Sequence, residues 1–192
     1  RTLRLIKSEG SDIVSSEELG RRIGVTPEQI RKDLAGFGAF GKKGVGYHVA
    51  ELLNNIGVIL GIDRRWNIGI VGIGHLGWAL ANYRNFASMG FHLSALFDQN
   101  PALVGQVING VEVLAVSDME TTIADRNIQI GVITVPAPEA QSVADRMVAA
   151  GVHGIWNFAP VRIRVPETVQ LVSEDLSVGL TTLSYHLRRQ MP

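Results

Sequence analysis

The chain has 192 residues, 46% of them hydrophobic, enough for one large domain or two small ones with a substantial core. It contains no cysteine, so disulfides, thiolate metal sites and a cysteine nucleophile are excluded. No apolar run reaches membrane-spanning length and the start shows no charged-then-apolar leader, so a cytoplasmic protein without membrane or metal partners is expected. The formal charge is zero but unevenly spread. Residues 1–65 carry eleven Lys/Arg against eight Asp/Glu, residues 66–192 seven against ten, and residues 20–47 six against two. That pattern suggests a small basic module joined to a neutral-to-acidic one.

Residues 1–9 read as the end of a helix, with Leu3 and Ile6 on one face and Gly10 behind it. It starts without a cap, which implies that residues ahead of Arg1 are absent. Ser15 and Glu18 fit a capping box, Leu19 and Ile23 share the face that follows, and Gly24 is a natural stop. Thr26-Pro27-Glu28-Gln29 then supplies an N-cap, a proline at the first helical position and Gln at the third. Ile30, Leu34 and Phe37 form the inner side of this second helix, and Gln29, Arg31, Lys32, Ala35 and Gly36 the outer. Two short helices around a glycine turn make a helix-turn-helix. Long donors on the second helix can reach base edges or phosphates, and its small residues allow close approach to a groove. Residues 40–47 are glycine-rich around Lys42 and Lys43. They read as the hairpin wing of a winged helix, its lysines at the tip for phosphates or a minor groove. A solvated basic face of an interaction domain is the competing reading of the charges alone. Cap, turn, helix and wing in series favour DNA. Residues 49–60 form another helix, with Leu52, Leu53, Ile56 and Leu60 apolar, and residues 61–65 a linker.

Residues 67–71 are a short β-branched run expected to be a buried parallel strand. Gly72, Gly74 and Gly77 follow as G-x-G-x-x-G, and residues 76–86 have helical spacing with Leu76, Leu80 and Tyr83 on one side. The spacing has a chemical reason. Gly72 permits the turn, Gly74 lets a pyrophosphate approach the backbone, and Gly77 lets helix pack on strand. Ile73, His75 and Leu76 fill the remaining fingerprint positions, at a helix N-terminus whose free N–H groups suit phosphates. The next strand, 93–97, ends at Asp98, about twenty residues past the last glycine, where a carboxylate would accept from a ribose diol. Gln99 and Asn100 follow, with no Arg for a 2′-phosphate, which favours NAD(H) over NADP(H).

Beyond Asp98, residues 101–110 read as a loop, 111–116 as a strand, and a short helix capped by Ser117 or Asp118 runs to about Arg126. Residues 129–135 are a strand ended by Pro136-Ala137-Pro138. Residues 139–150 are a helix, 154–158 a strand, 169–172 a strand and 175–189 a terminal helix with Leu176, Leu180, Leu183 and Leu187 on one face. The whole is an α/β protein: an N-terminal winged helix-turn-helix over 1–62, a Rossmann-like doubly wound parallel sheet over 63–173, and a dimerisation helix over 174–192. The leucine stripe is expected to be covered by a partner subunit.

These elements resemble the Rex family of redox-sensing transcriptional repressors. The stretches concerned are Ser16-Glu17-Glu18-Leu19-Gly20, Gln29-Ile30-Arg31-Lys32-Asp33-Leu34, Phe37-Gly38, Lys43-Gly44-Val45-Gly46-Tyr47, Val71 to Gly77, Phe97-Asp98, Thr134-Val135-Pro136, Gly154 to Pro160 and Gly179 to Leu183. They span nearly the whole chain, and Ile-Arg-Lys-Asp-Leu, Gly-Val-Gly-Tyr and Asn-Phe-Ala-Pro are far more specific than the glycine fingerprint. The resemblance implies a homodimer with exchanged C-terminal helices that binds double-stranded operator DNA and releases it when NADH occupies the Rossmann sites, NAD+ being the other effector. It places Arg31, Lys32, Lys43 and Gly44 at DNA, and Gly72, Gly74, Gly77 and Asp98 at the adenosine diphosphate half of NADH. Thr134, Val135, Pro136, Asn157 and Pro160 flank the nicotinamide side, where apolar Val135 and Pro136 would favour the neutral reduced ring. Arg4 and Asp175 match a switch pair between subunits. His75 stands where the fingerprint often holds a basic residue, for pyrophosphate or for solvent.

Two other readings compete. A small NAD-dependent dehydrogenase would need an acid/base near the nicotinamide, but His48, His75, His92, His153 and His186 show no dyad and little chain remains for a substrate domain. A CoA-binding domain would share the glycine turn but has no use for a winged helix.

Overall fold

A computed structural model describes residues 1–38, 41–42 and 44–190, with Lys42 described for its backbone only. The chain divides into two compact units, residues 1–64 and 65–192.

The first unit runs α1 (Thr2–Ser8), β1 (Ile13–Val14), α2 (Ser16–Ile23), α3 (Pro27–Ala35), β2 (Gly41–Lys42), β3 (Gly46–His48) and α4 (Val49–Ile59). The Glu18 N–H donates to Ser15 Oγ at 3.1 Å and the Gln29 N–H to Thr26 Oγ1 at 3.2 Å, so both expected caps form. The Glu18 carboxylate instead takes Arg22 at 2.8 Å. Between α2 and α3 the chain turns on Gly24, at φ +80, and a Cβ on Gly20 would come within 2.5 Å of the Val25 carbonyl oxygen. Strands β1, β3 and β2 form an antiparallel sheet in that order, and Leu3, Ile6, Val14, Leu19, Ile30, Tyr47, Val49 and Leu52 form the core beneath it. Strand β1 is two residues long, too short to leave a period in the sequence. Phe37 and Leu60 depart from expectation. Both lie just past the ends of their helices, where the helical period no longer sets direction, and both are 63% exposed.

The second unit runs β4 (Trp66–Val71), α5 (His75–Ala81), α6 (Asn85–Ser88), β5 (Phe91–Asp98), β6 (Val107–Ile108), β7 (Val111–Ala115), α7 (Met119–Asp125), β8 (Ile130–Ile133), α8 (Ala137–Ala149), β9 (Gly154–Asn157), β10 (Gln170–Ser173) and α9 (Ser177–Gln190). Its sheet order is β10-β9-β8-β4-β5-β7-β6, all neighbours parallel except β6 with β7. Without β6 this is the doubly wound order 3-2-1-4-5-6, which reverses between β4 and β8. Alternate residues bury opposite faces: Val71, Phe97 and Ile133 under α7 and α8, Ile70, Leu96 and Val132 on the other side.

Two expectations are corrected here. The helix over 76–86 stops at Ala81, because Asn82 donates its side-chain amide back to the Trp78 carbonyl at 2.9 Å and closes the turn; α6 starts afresh. The loop over 101–110 contains β6. Asn109 (φ 51) and Gly110 (φ 78) turn it into a hairpin on β7, a two-residue Asn-Gly turn that the sequence displays. Among the described residues no helix is long and apolar enough to cross a membrane.

Candidate functional site

The second unit carries a cavity of about 730 Å³ along the carboxyl edge of its sheet, at the β4/β8 reversal. Its walls follow the sheet: Phe158 and Pro160 after β9, Thr134, Val135 and Pro136 after β8, Gly72 and Gly74 after β4, Asp98 at the end of β5, Val116 after β7. Eight expected residues therefore meet there: Gly72, Gly74, Leu76, Asp98, Thr134, Val135, Pro136 and Pro160.

The three glycines are not equivalent. Gly72 sits at φ +93, and a Cβ there would come within 2.9 Å of the Thr134 backbone and the Val135 side chain. A Cβ on Gly77 would fall on the Gly72 carbonyl oxygen. Gly74 has ordinary φ and open space where a Cβ would stand, so the protein's own packing does not require its bareness; an approaching ligand would. Thr134 Oγ1 donates to the Gly72 carbonyl at 2.6 Å, with the Val71 carbonyl at 3.0 Å, tying the turn to β8.

Asp98 is 8% exposed. Its Oδ2 accepts the Ile73 N–H at 2.6 Å and its Oδ1 the Asn100 N–H at 2.8 Å. The carboxylate thus fastens the glycine turn to the end of β5 and keeps a lone pair on each oxygen for a ligand. Ile73 contributes this N–H while its side chain is core. Gly77 and His75 do not line the cavity; Gly77 is the buried packing point and His75 an exposed first residue of α5. Asn157 is fully buried and also stands behind the wall. It donates to the Val161 carbonyl at 3.0 Å and accepts the Ala159 N–H at 3.0 Å, so it shapes the loop that presents Phe158 and Pro160.

The helix expected over 139–150 is α8, but its part in the cavity was not foreseen. Glu139, Ser142 and Arg146 line the cavity from it, and Gln99 donates to Glu139 at 3.3 Å. Their helical spacing (i, i+3, i+7) was the available signal. Arg146 is gripped by both oxygens of Glu120 on α7 and donates to the Val116 carbonyl at 2.7 Å. The guanidinium's hydrogen bonds hold the Glu120 carboxyl below its ordinary range, and the carboxylate raises Arg146 in turn.

In the first unit, Gln29, Arg31 and Lys32 are exposed on α3. Gln29 donates to Asp33 at 2.6 Å, and Arg31 to Glu28 at 2.6 Å and Ser16 at 2.8 Å. Lys32 has no partner among the described residues. Gly44, at φ +81, forms the hairpin turn with open space around it. Lys42 belongs to β2, opposite Gly46; its side chain and Lys43 lie outside the described residues. Arg4 is an exposed residue of α1. Asp175 accepts from the Ser177 N–H at 2.8 Å and hydroxyl at 2.6 Å, which starts α9 and lowers the Asp175 pKa. No group of His, Cys, Asp and Glu suited to a metal occurs among the described residues.

Residues 63–161 match the CoA binding domain family and residues 1–35 the family of putative DNA-binding protein N-termini. The chain is 47% identical to the redox-sensing transcriptional repressor Rex of Syntrophobacter fumaroxidans, over 97% of this chain and 90% of that protein. It is 45% identical to the Rex of a Roseiflexus species, over 100% and 87%. A crystal structure of RSP in complex with NAD+ and operator DNA superposes with a TM-score of 0.93 at 45% identity, covering 99% of this chain and 88% of that one. The crystal structure of RSP with NADH gives 0.88 at 44% identity, covering 99% and 89%.

Proposed function

Because the chain belongs to the Rex family of redox-sensing transcriptional repressors, we propose that NADH in the β4/β8 cavity lowers the affinity of the α3 surface for operator DNA. The protein is an NADH- and NAD+-responsive repressor, not an enzyme. The observation that carries the reading is the pairing, in one chain, of a capped helix-turn-helix with a glycine-turn cavity closed by a buried Asp98. The match to CoA-binding domains reflects the shared glycine turn; that reading gives the first unit no role.

In the proposal the boundaries are 1–62 for DNA, 63–173 for the dinucleotide and 174–192 for dimerisation. Gly72, Gly74 and the N–H groups opening α5, from His75 to Gly77, face the pyrophosphate, with Leu76 against it, and Ile73 joins the turn to Asp98 through its N–H. Asp98 takes the adenosine ribose; Thr134, Val135, Pro136 and Pro160 flank the nicotinamide, with Asn157 shaping their loop. Gln29, Arg31, Lys32, Lys42, Lys43 and Gly44 meet DNA. Leu176, Leu180, Leu183 and Leu187 are each more than half exposed in the single chain. An apolar stripe of that size calls for a cover, and we assign it to a second copy in a homodimer, where Arg4 would pair with Asp175 of the partner subunit. The repressor works in the cytoplasm, where its DNA and its nucleotides are.

Linkage sets the energetic condition. NADH must bind the DNA-incompetent state more tightly than the competent one, and DNA must weaken NADH by the same factor. NAD+ can share the cavity, but a ligand with equal affinity for both states shifts nothing. Oxidised nicotinamide brings a positive ring to the apolar Val135 and Pro136, whereas the reduced ring is neutral, so NADH binds more tightly. The test is a protein–palindromic-DNA complex titrated with NADH and separately with NAD+. Selective release by NADH is expected; DNA binding indifferent to both would overturn the reading.

A further inference from the structure

The cavity crosses the strand ends in sheet order, which fixes the order of subsites for an extended dinucleotide. If the pyrophosphate lies on the glycine turn after β4 and the ribose at Asp98 on β5, the base must lie beyond, at the end of β7. There the cavity is lined by Leu103, Val116 and Arg146. Arg146 spends Nε on Glu120 and Nη2 on Glu120 and the Val116 carbonyl, while Nη1 makes no hydrogen bond among the described residues. Its plane is therefore held still at the cavity, with two donors unspent.

We infer that Arg146 is the platform for the adenine ring, stacking its guanidinium on the base, and that Glu120 is the positioning residue that holds the plane. The inference rests on the dinucleotide reading of this cavity and adds a residue to it. A guanidinium stacks well on an aromatic base, and clamping it in advance removes the entropy of ordering a long side chain on binding. Since NADH and NAD+ carry the same adenosine, this contact raises affinity for both alike. Redox discrimination stays at the nicotinamide end, and Arg146 with Glu120 sets the nucleotide concentration at which the sensor fills.

The experiment is calorimetry of the full chain and of Arg146→Ala, Arg146→Lys and Glu120→Gln against NADH, NAD+, ADP-ribose and reduced nicotinamide mononucleotide. Arg146→Lys keeps a cation beside Glu120 and removes the plane, so it separates stacking from folding. Both Arg146 variants are expected to lose about 5- to 30-fold for the three adenine ligands. The NADH-to-NAD+ ratio and the affinity for the mononucleotide, which has no adenine, stay unchanged, and Glu120→Gln loses less. Unchanged ADP-ribose binding by Arg146→Ala and Arg146→Lys would overturn the platform, as would an equal loss for the mononucleotide, which would mark Arg146 as a tie between α7 and α8. Failure of the unaltered chain to bind NADH or ADP-ribose would instead overturn the dinucleotide reading beneath it.

Discussion

The nucleotide cavity and the α3 surface are built on opposite plans. At the cavity the key groups are buried and already spent on the protein. Asp98 binds two backbone N–H groups, Thr134 pins Gly72, and Asn157 holds its own loop. On α3 the key groups are exposed and tied mostly to neighbouring side chains, Arg31 to Glu28 and to Ser16 on α2, and Gln29 to Asp33. The cavity is set in shape before any ligand arrives. In the proposed function the α3 surface exchanges weak local ion pairs for phosphates, a loss of less than about 1 kcal/mol each. Rigidity suits discrimination between two nearly identical nucleotides, and exchangeable charges suit a long, salt-dependent surface.

The sharpest way to break this comparison is within the fingerprint. Gly77→Ala should destabilise the chain by about 3 kcal/mol, because its Cβ falls on the Gly72 carbonyl oxygen. Gly74→Ala should change stability by less than about 0.5 kcal/mol yet weaken NADH at least about tenfold, since only the ligand needs that space. Chemical denaturation and NADH titration side by side check the pair; equal stabilities would show that the turn is not preorganised.

Asp98→Ala comes next. It strands the Ile73 and Asn100 N–H groups, costs about 1–3 kcal/mol of stability, and weakens NADH by about tenfold or more, while operator binding without nucleotide is retained. Unchanged NADH affinity would remove Asp98 from the ribose. On the α3 side, Lys32→Ala should weaken all DNA alike and lower the salt slope by about one, if it meets a phosphate. Glu28→Gln, which removes the shorter of the two ion pairs of Arg31, should tighten DNA slightly, by less than about 1 kcal/mol. A gel-shift series in salt reads both, and a DNA affinity insensitive to Glu28 would mean that this ion pair does not compete with DNA for Arg31.

The smallest expected effect is on pH. Arg146 lowers the Glu120 pKa in the folded chain. Its stabilisation is therefore present above the unfolded value of about 4.3 and lost as pH falls through the folded value. The Glu120 side chain is 42% exposed, so screening leaves about 0.5 kcal/mol or less. Thermal melts below about pH 5 should show Glu120→Gln flatter than the parent chain.

Much of this can be read along the chain because it is local. The two N-caps, Gly24, the G-x-G-x-x-G turn and the strand ending at Asp98 depend on neighbours within a few residues or on a short repeat. The Asn109-Gly110 hairpin is equally local, but its first strand, β6, has only two residues and shows no alternation to mark it. The α8 residues of the cavity are not legible in the same way. Glu139, Ser142 and Arg146 share a face of an ordinary amphipathic helix, and their spacing gives that face but not that it lies against the strand ends.

By itself, the sequence determined the elements, their caps and turns, the family, and the residue types a dinucleotide needs, because each is written in spacing and backbone sterics. Only the tertiary structure decided which of those residues face the cavity and which stand behind it. Asn157 turned inward because the sheet buries both faces, and Gly77 because α5 packs on the glycine turn. Asp98 became a bolt between β5 and the glycine turn, and Arg146 came to the far end of the site, because parallel strand order brings together segments far apart in the chain.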